Sequence, residues 1–432
     1  MSRIVIWVVT AALIATSWFM ALTRRPDDHA KELAQLRTQI NDALELDLVK
    51  RTVPLYGEAI SLAPDQSEWY YGLADALEEL GNEKAYEQAL IKAVGQFPAD
   101  VKLGVRLLTL YEDQDACQKL VRAYKAASKT VQKDEGALAL YDGCAWKSFP
   151  RSDGNYQRIF AKSGDHFKVQ ENDKYGYLGK GGRMAIPVQF DQARAFIDGW
   201  AAVQTDGEWY FIDQEGDRIQ AFPEQAAQEL YSFSEGYAVA KIDGKYGFVD
   251  QNLTRFAFEY DDARPFLGGV APVKKDGKWG LVDSEFKMVV QPSFSDVACA
   301  ESDVCTDQDR VMFKKDGRWT LYDLAGKRIG DGSWDEVSVF AASTAIGQRD
   351  GKWEAIDQQG KVVARSTADE ARALVGAAMP VRHGEEWTYV DKDGRQLGEE
   401  SYLDAYPLTD SGEAVVQTDR GYTIIQFTGF IG

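Results

Sequence analysis

Residues 206–216 read DGEWYFIDQEG, three aromatic side chains in a row inside a hydrophilic frame with a glycine near each end. Whether these aromatics form a sugar-binding face or the inside of a small β-structure decides what kind of protein this is. Along a strand, alternation sends Trp209, Phe211 and Asp213 to one face and Tyr210 and Ile212 to the other, so at least part of the row belongs to a core. Asp206-Gly207 before it and Asp213-x-x-Gly216 after it are turn signals: the aspartate bonds the backbone ahead and the glycine accepts positive φ.

The stretch recurs. Its anchor aromatic returns at Tyr175, Trp209, Tyr246, Trp279, Trp319, Trp353, Trp387 and Tyr422, at intervals of 34, 37, 33, 40, 34, 34 and 35 residues. Four residues after the anchor stands Asp213, Asp250, Asp283, Asp323, Asp357 or Asp391, and in several copies a glycine follows three further on (Gly182, Gly216, Gly326, Gly360, Gly394). About fifteen residues after it comes an aromatic with an aspartate behind it, as in Phe190-Asp191, Tyr260-Asp261 and Trp334-Asp335. Ten before it, Gly199, Gly236, Gly269 or Gly412 opens an Ala-x-Val alternation. Each unit therefore predicts three short strands joined by tight turns. Strands so short cannot bury a face alone, and neighbouring units must pack on one another.

These features resemble the WG repeat family of bacteria, whose pattern is closest at 233–250 (FSEGYAVAKIDGKYGFVD) and 266–283 (FLGGVAPVKKDGKWGLVD). The resemblance covers roughly 156–432 and degrades at 299–360, where Thr320 and Glu354 replace the glycine after the anchor. It carries no catalytic residues and implies an interaction or surface module. The quoted stretch is also similar to cell-wall-binding repeats that hold choline or glucan with exposed aromatics, but those recur at shorter intervals. Core is the expected fate of the row, with Tyr210 the candidate glycan-facing aromatic. Eight anchors fit a propeller-like ring, closed by 156–160 (YQRIF) supplying a strand to a last unit that stops at Gly432; the alternative is an open β-solenoid.

The segment 30–148 has helical periodicity instead. Pro64 and Pro98 lie 34 residues apart, the period of a helix-turn-helix repeat. Between them Tyr70, Leu73, Ala74 and Leu77 share one helix face, Gly81-Asn82 breaks the helix, and Tyr86, Ala89, Leu90 and Ala93 line a second. This resembles the tetratricopeptide repeat, best at 67–100, with flanking units that keep only part of the pattern. The resemblance implies a groove for protein partners, and Tyr70, Tyr86 and Tyr111 are its candidate residues; a spacer role is the alternative. The expected domains are thus an anchor and linker at 1–29, TPR-like helical repeats at 30–148, and a WG-type β-repeat domain of about eight units at 149–432.

Residues 4–22, IVIWVVTAALIATSWFMAL, form the long apolar run of the chain, sufficient for one transmembrane helix. Trp18 to Arg25 makes a poor cleavage context, so the reading is an uncleaved single-pass anchor rather than a removed signal peptide. Arg24, Arg25 and Lys31 after the span favour a cytoplasmic domain. The four cysteines, in the local pairs Cys117 with Cys144 and Cys299 with Cys305, favour disulfides and an oxidising compartment. The expectation is a bacterial inner-membrane protein with its soluble part in the periplasm. A net charge of −19, from 68 acidic and 49 basic residues, argues against nucleic acid as a partner.

His29, His166 and His383 are the only histidines and none has metal-ligand spacing. No phosphate-binding glycine loop or nucleophile elbow is present, and Asp391-Lys-Asp393-Gly394 lacks the distal glutamate of a calcium loop. The expectation is a non-enzymatic envelope scaffold with no cofactor or metal, binding protein partners. The alternative is a glycan- or peptidoglycan-binding module.

Overall fold

The computed structural model describes residues 26–222, 227–307 and 309–430, in two compact units divided between Ala145 and Trp146. The anchor expected at 4–22 lies outside the described residues. Among those described, no helix is long and apolar enough to cross a membrane.

The first unit is a run of helices: α1 (Pro26–Glu45), α2 (Val49–Leu62), α3 (Ser67–Glu79), α4 (Glu83–Gln96), α5 (Val101–Asp113), α6 (Cys117–Ala126), α7 (Lys129–Gln132) and α8 (Glu135–Ala145). The breaks are chemical. Gly81 takes φ +63° and the Asn82 side chain caps α4 by accepting from the Ala85 amide. Asp100 caps α5 in the same way through the Leu103 amide. The faces predicted for α3 and α4 are the buried ones, with Tyr70, Ala74, Leu77, Tyr86, Ala89, Leu90 and Ala93 in one core. A Cβ on Gly72 would meet the Tyr56 ring at 2.2 Å, so glycine is what lets α2 and α3 approach. Ion pairs about one repeat apart, Arg37–Glu68, Arg106–Asp75 and Lys119–Glu87, join successive hairpins. A Cys117–Cys144 disulfide joins the start of α6 to the end of α8.

The second unit is an eight-bladed β-propeller: eight antiparallel sheets of four strands. Blade 1 spans 158–190, blade 2 192–221, blade 3 229–260, blade 4 262–294, blade 5 296–334, blade 6 336–366, blade 7 370–402, and blade 8 404–427. The three strands expected in each unit are joined by a fourth that periodicity did not reveal, because from blade 2 onward the first strand is only two residues long, as at Asp262–Ala263. Blade 8 ends after its third strand and takes its fourth from Ser148–Pro150, with Ser148 opposite Phe427, Phe149 opposite Gln426 and Pro150 opposite Ile425. The pairing continues outward, the Arg151 amide donating to the Ile424 carbonyl and the Thr428 amide to the Lys147 carbonyl. The ring is therefore closed, and by a segment nearer the N-terminus than expected: 158–163 is the first strand of blade 1, and Tyr156 adds only a single bridge to Tyr422. The domain boundary moves with it, from the predicted 148/149 to 145/146.

Closure explains the fate of the quoted stretch. Alternation holds, but both faces are interior because each blade is sandwiched by two others. Trp209 and Phe211 pack with Phe233 and Ala238 of blade 3, while Tyr210 and Ile212 pack with Tyr177 and Phe190 of blade 1.

Three repeated devices set the geometry. The Asp213, Asp250, Asp283, Asp323, Asp357 and Asp391 carboxylates each accept from the amides two and four residues ahead, which fixes the third-to-fourth-strand turn. The aspartate behind the later aromatic joins blades. Asp191 pairs with Lys174 of blade 1 and accepts from the Asp206 amide of blade 2, and Asp261 pairs with Lys245 of blade 3 and accepts from Gly277 of blade 4. Finally, the glycine after the anchor sits where the outer strand bulges across. A Cβ on Gly280 would lie 2.3 Å from the Val290 carbonyl oxygen, beside a register shift. Glu354 replaces that glycine in blade 6 without loss of the blade, because it pairs in regular register with Arg365 and the shift moves to the following residues. In blade 5, with Thr320, the outer strand shrinks to bridges at Trp334 and Arg328.

Gly280→Ala should destabilise the ring by about 1–3 kcal/mol, as overpacking does, read from the denaturant midpoint of ring unfolding. Ion pairing, to Lys174 and Lys245 respectively, holds the Asp191 and Asp261 carboxyls below the usual range. Their contribution is present above the unfolded carboxylate value of about 4 and lost as pH falls through the lower folded one. The denaturant midpoint of Asp191→Asn/Asp261→Asn should fall below that of the unaltered chain at pH 6, and the difference should shrink as the pH is lowered below the ordinary carboxylate value.

Candidate interaction sites

In the helical unit, the three tyrosines singled out as groove residues are core. Tyr70, Tyr86 and Tyr111 are 3%, 6% and 5% exposed. Tyr70 meets Phe97 edge to face, and burial followed by the carboxylate of Glu87 pushes the Tyr111 hydroxyl up to about 12. This corrects the groove assignment for Tyr70 and Tyr111: a ring on the shared face of a helical hairpin fills the gap between helices. Tyr86 alone borders a cavity, of about 750 Å³, together with Leu77, Glu78, Val105, Arg106 and Asp113. Its hydroxyl donates to Glu78 and accepts from Arg106, whose two outer nitrogens reach Asp75 and Glu78 at 2.6 Å. The lining carboxylates Glu78, Glu83, Asp113 and Asp134 outnumber Lys102 and Arg106. Sequence reasoning missed Arg106; its available signal was an acid-to-arginine spacing close to the repeat period.

In the ring, Tyr210 lies between blades rather than on a platform. Its ring meets Phe190 edge to face with centroids 6.3 Å apart, Arg218 covers it at 4.4 Å, and its hydroxyl is 3.1 Å from that of Thr205. Seven of the eight anchors stand on the third strand of their blade, and in blade 5, where the short pair Thr306–Asp307 intervenes, Trp319 stands on the fourth.

The site that sequence reasoning missed is central. The 40-residue interval between anchors contains a longer connection in blade 5, closed by a Cys299–Cys305 disulfide. Glu301 in this loop accepts from Arg158 at 2.9 Å, from the Ala161 amide at 3.4 Å, and from the Tyr406 hydroxyl at 3.0 Å. Asp303 pairs with Arg194 at 3.1 Å. These partners belong to blades 1, 8 and 2. In a closed ring of eight, blade 1 is four places from blade 5 in either direction, so the loop reaches them only across the middle. It plugs the channel. Beside it a cavity of about 490 Å³ is bordered by Leu267, Val304, Phe340, Val375 and Leu408, from blades 4 to 8.

Cations surround the plug. Arg194 lies over Tyr231 at 4.0 Å and donates to the Leu230 carbonyl of blade 3. Lys168 donates to the Ala193 carbonyl and sits 4.2 Å from the Phe160 ring centre; burial, reinforced by Arg194 and Arg158, lowers it to about 8. Among the described residues no group of three or more His, Cys, Asp and Glu side chains is placed to hold a metal ion. His166 is buried and stacks on Phe196 at 4.3 Å.

A family described as "WG containing repeat" matches residues 175–209, 228–246, 254–279 and 279–319, within blades 1 to 5. None of the curated proteins matches the chain. Among solved structures, BamB from Moraxella catarrhalis is 14% identical, with 65% of this chain and 96% of that chain covered at a TM-score of 0.41. The WD40 domain of Neurospora crassa Pan2 is 11% identical, with 66% and 98% covered at 0.35. The TPR2AB domain of yeast Sti1, solved as a complex with pHSP90, is 18% identical, with 33% of this chain and 55% of that chain covered at 0.26. The eight-bladed architecture rests on the strand pairing itself.

Tyr210→Ala should behave as a packing defect, costing about 2–3 kcal/mol of ring stability, somewhat less than a fully buried aromatic. Thermal melting checks this; unchanged stability together with lost cell-wall binding would return Tyr210 to a surface role.

Proposed function

We propose that this protein is a non-enzymatic scaffold of the bacterial cell envelope, tethered to the inner membrane through residues 4–22, that holds partner proteins on its TPR-like helical repeats. The observation that carries the reading is the acid-rich cavity of the helical unit, bordered by the α3, α4 and α5 residues named above. Stacked helix pairs of this kind offer a concave surface to extended segments. The excess of carboxylates suits a segment bearing lysine or arginine, and Arg106, fixed by three partners, makes one wall rigid. Two disulfides suit an oxidising compartment and support a periplasmic placement of the soluble part. With the aromatics of residues 206–216 packed between blades, no observation favours the glycan reading.

In-cell cross-linking of the full-length chain, followed by capture and identification of the attached species, tests this. One or a few envelope proteins should be recovered stoichiometrically. The charge reversals Glu83→Lys and Asp113→Lys, at cavity positions outside the helix core, should reduce that recovery at least tenfold with the helical circular dichroism unchanged. Recovery insensitive to these reversals, or of wall fragments alone, would overturn the assignment.

A further inference from the structure

Cys305 at the base of the loop is part of the apolar core of blades 4 and 5, but the tip, residues 300–304, belongs to none of the buried apolar clusters among the described residues. Its grip is ionic: two carboxylates spaced two residues apart, Glu301 and Asp303, against Arg158 and Arg194, with Lys168 beside them. It is covalently closed at its own base by Cys299–Cys305, so the chain on either side stays tied to blade 5 whether or not the acidic tip is seated. One wall of the adjoining cavity is the loop itself, through Ala300, Glu301, Ser302 and Val304, and the opposite walls are largely apolar. A peptide that displaced the tip would find guanidinium groups already oriented by their neighbours. Arg194 is held by the Leu230 carbonyl and the Tyr231 ring, and Arg158 lies over Phe160 at 4.5 Å. Planar, pre-oriented guanidinium groups are suited to carboxylates.

We propose that the cation-lined channel is a binding site for an acidic peptide segment carrying two carboxylates two residues apart, and that loop 299–305 is its resident competitor. The loop is a tethered copy of the ligand, at an effective concentration no free peptide matches, so the site is masked until the tip leaves. The channel sits in a different unit from the helical cavity and takes a partner of the opposite charge. This inference therefore stands or falls independently of the helical site.

The probe is the loop's own sequence supplied in trans, a fluorescently labelled, end-capped Ala-Glu-Ser-Asp-Val, titrated against the full-length chain by anisotropy. Glu301→Gln/Asp303→Asn, which takes the loop's own carboxylates away from Arg158 and Arg194 and leaves Arg194 only Glu229 at 3.7 Å, should bind it at least tenfold more tightly than the unaltered chain. That gain should be lost on adding Arg194→Gln and should weaken steeply as salt is raised. Cys299→Ser/Cys305→Ser, which loosens the loop and leaves Cys117–Cys144 intact, should show a smaller gain in the same direction and serves as the reading if the first variant does not fold. A folded Glu301→Gln/Asp303→Asn chain that binds no better than the unaltered one, or whose binding ignores Arg194→Gln, would overturn the proposal, as would a folded cysteine variant without any gain.

Discussion

Three residues, Ser148 to Pro150, lie along Ile425 to Phe427, and the rest of the β-structure depends on that short pairing. Each blade is a single sheet with an apolar face on both sides, and no blade has an inside of its own. In an open row the first and last sheets would expose such a face and an unpaired edge, which is an aggregation hazard. Joining the ends removes both. It also sets the cost of the arrangement: the segment just after the helices must meet the strand 421–427, already paired on its other side with 413–418, a contact that spans nearly the whole ring in sequence and is slow to form.

With the ring closed, the repeated residues have distinct tasks. Apolar burial supplies the bulk of the stabilisation, at about 25 cal/mol per Å², and the interblade layers are aromatic: Phe294 stacks on Phe313 with centroids 4.2 Å apart, and Phe211 meets Phe233 at 4.4 Å. The aspartates do not add to that burial. They fix where one blade stops and the next begins, by satisfying amides at turns that would otherwise splay. Glu354 shows how far the pattern tolerates change. Burial acts to raise its carboxyl pKa, but hydrogen bonds from Trp334, Arg349 and Arg365 outweigh it and hold it low, so a residue foreign to the repeat is accommodated by its own partners.

Much of this was legible in the sequence because repetition multiplies weak signals. The anchors, the Asp-x-x-Gly turns, the number of units and both cysteine pairs could be read from spacing. What escaped did so for physical reasons. A two-residue strand has no periodicity to detect. The closing strand was misplaced because the true one, Ser148 to Pro150, is only three residues long and has no alternation to detect, whereas Tyr156 to Phe160 offers a longer apolar pattern. Tyr70 and Tyr111 were assigned to a groove because the pattern marks a helix face without saying whether a neighbouring helix covers it; that face is covered, while Asp75 and Glu78 keep the other side of α3 exposed. The plug had a visible trace in the one interval of 40 residues, but its partners lie in blades 1, 2 and 8 and meet it only after the chain has come full circle.

Closure thus links the fold to its candidate sites, since a channel exists to be plugged only if the ring is shut. Native-state hydrogen exchange on the amides of Arg151 and Thr428 tests this most directly. These amides donate to Ile424 and Lys147 on either side of the closing pair, and neither bond exists in an open solenoid. The closed ring predicts protection comparable to that of the central strands of blade 4, lost together with it in one cooperative transition. Rapid exchange at both positions while blade 4 stays protected would contradict closure.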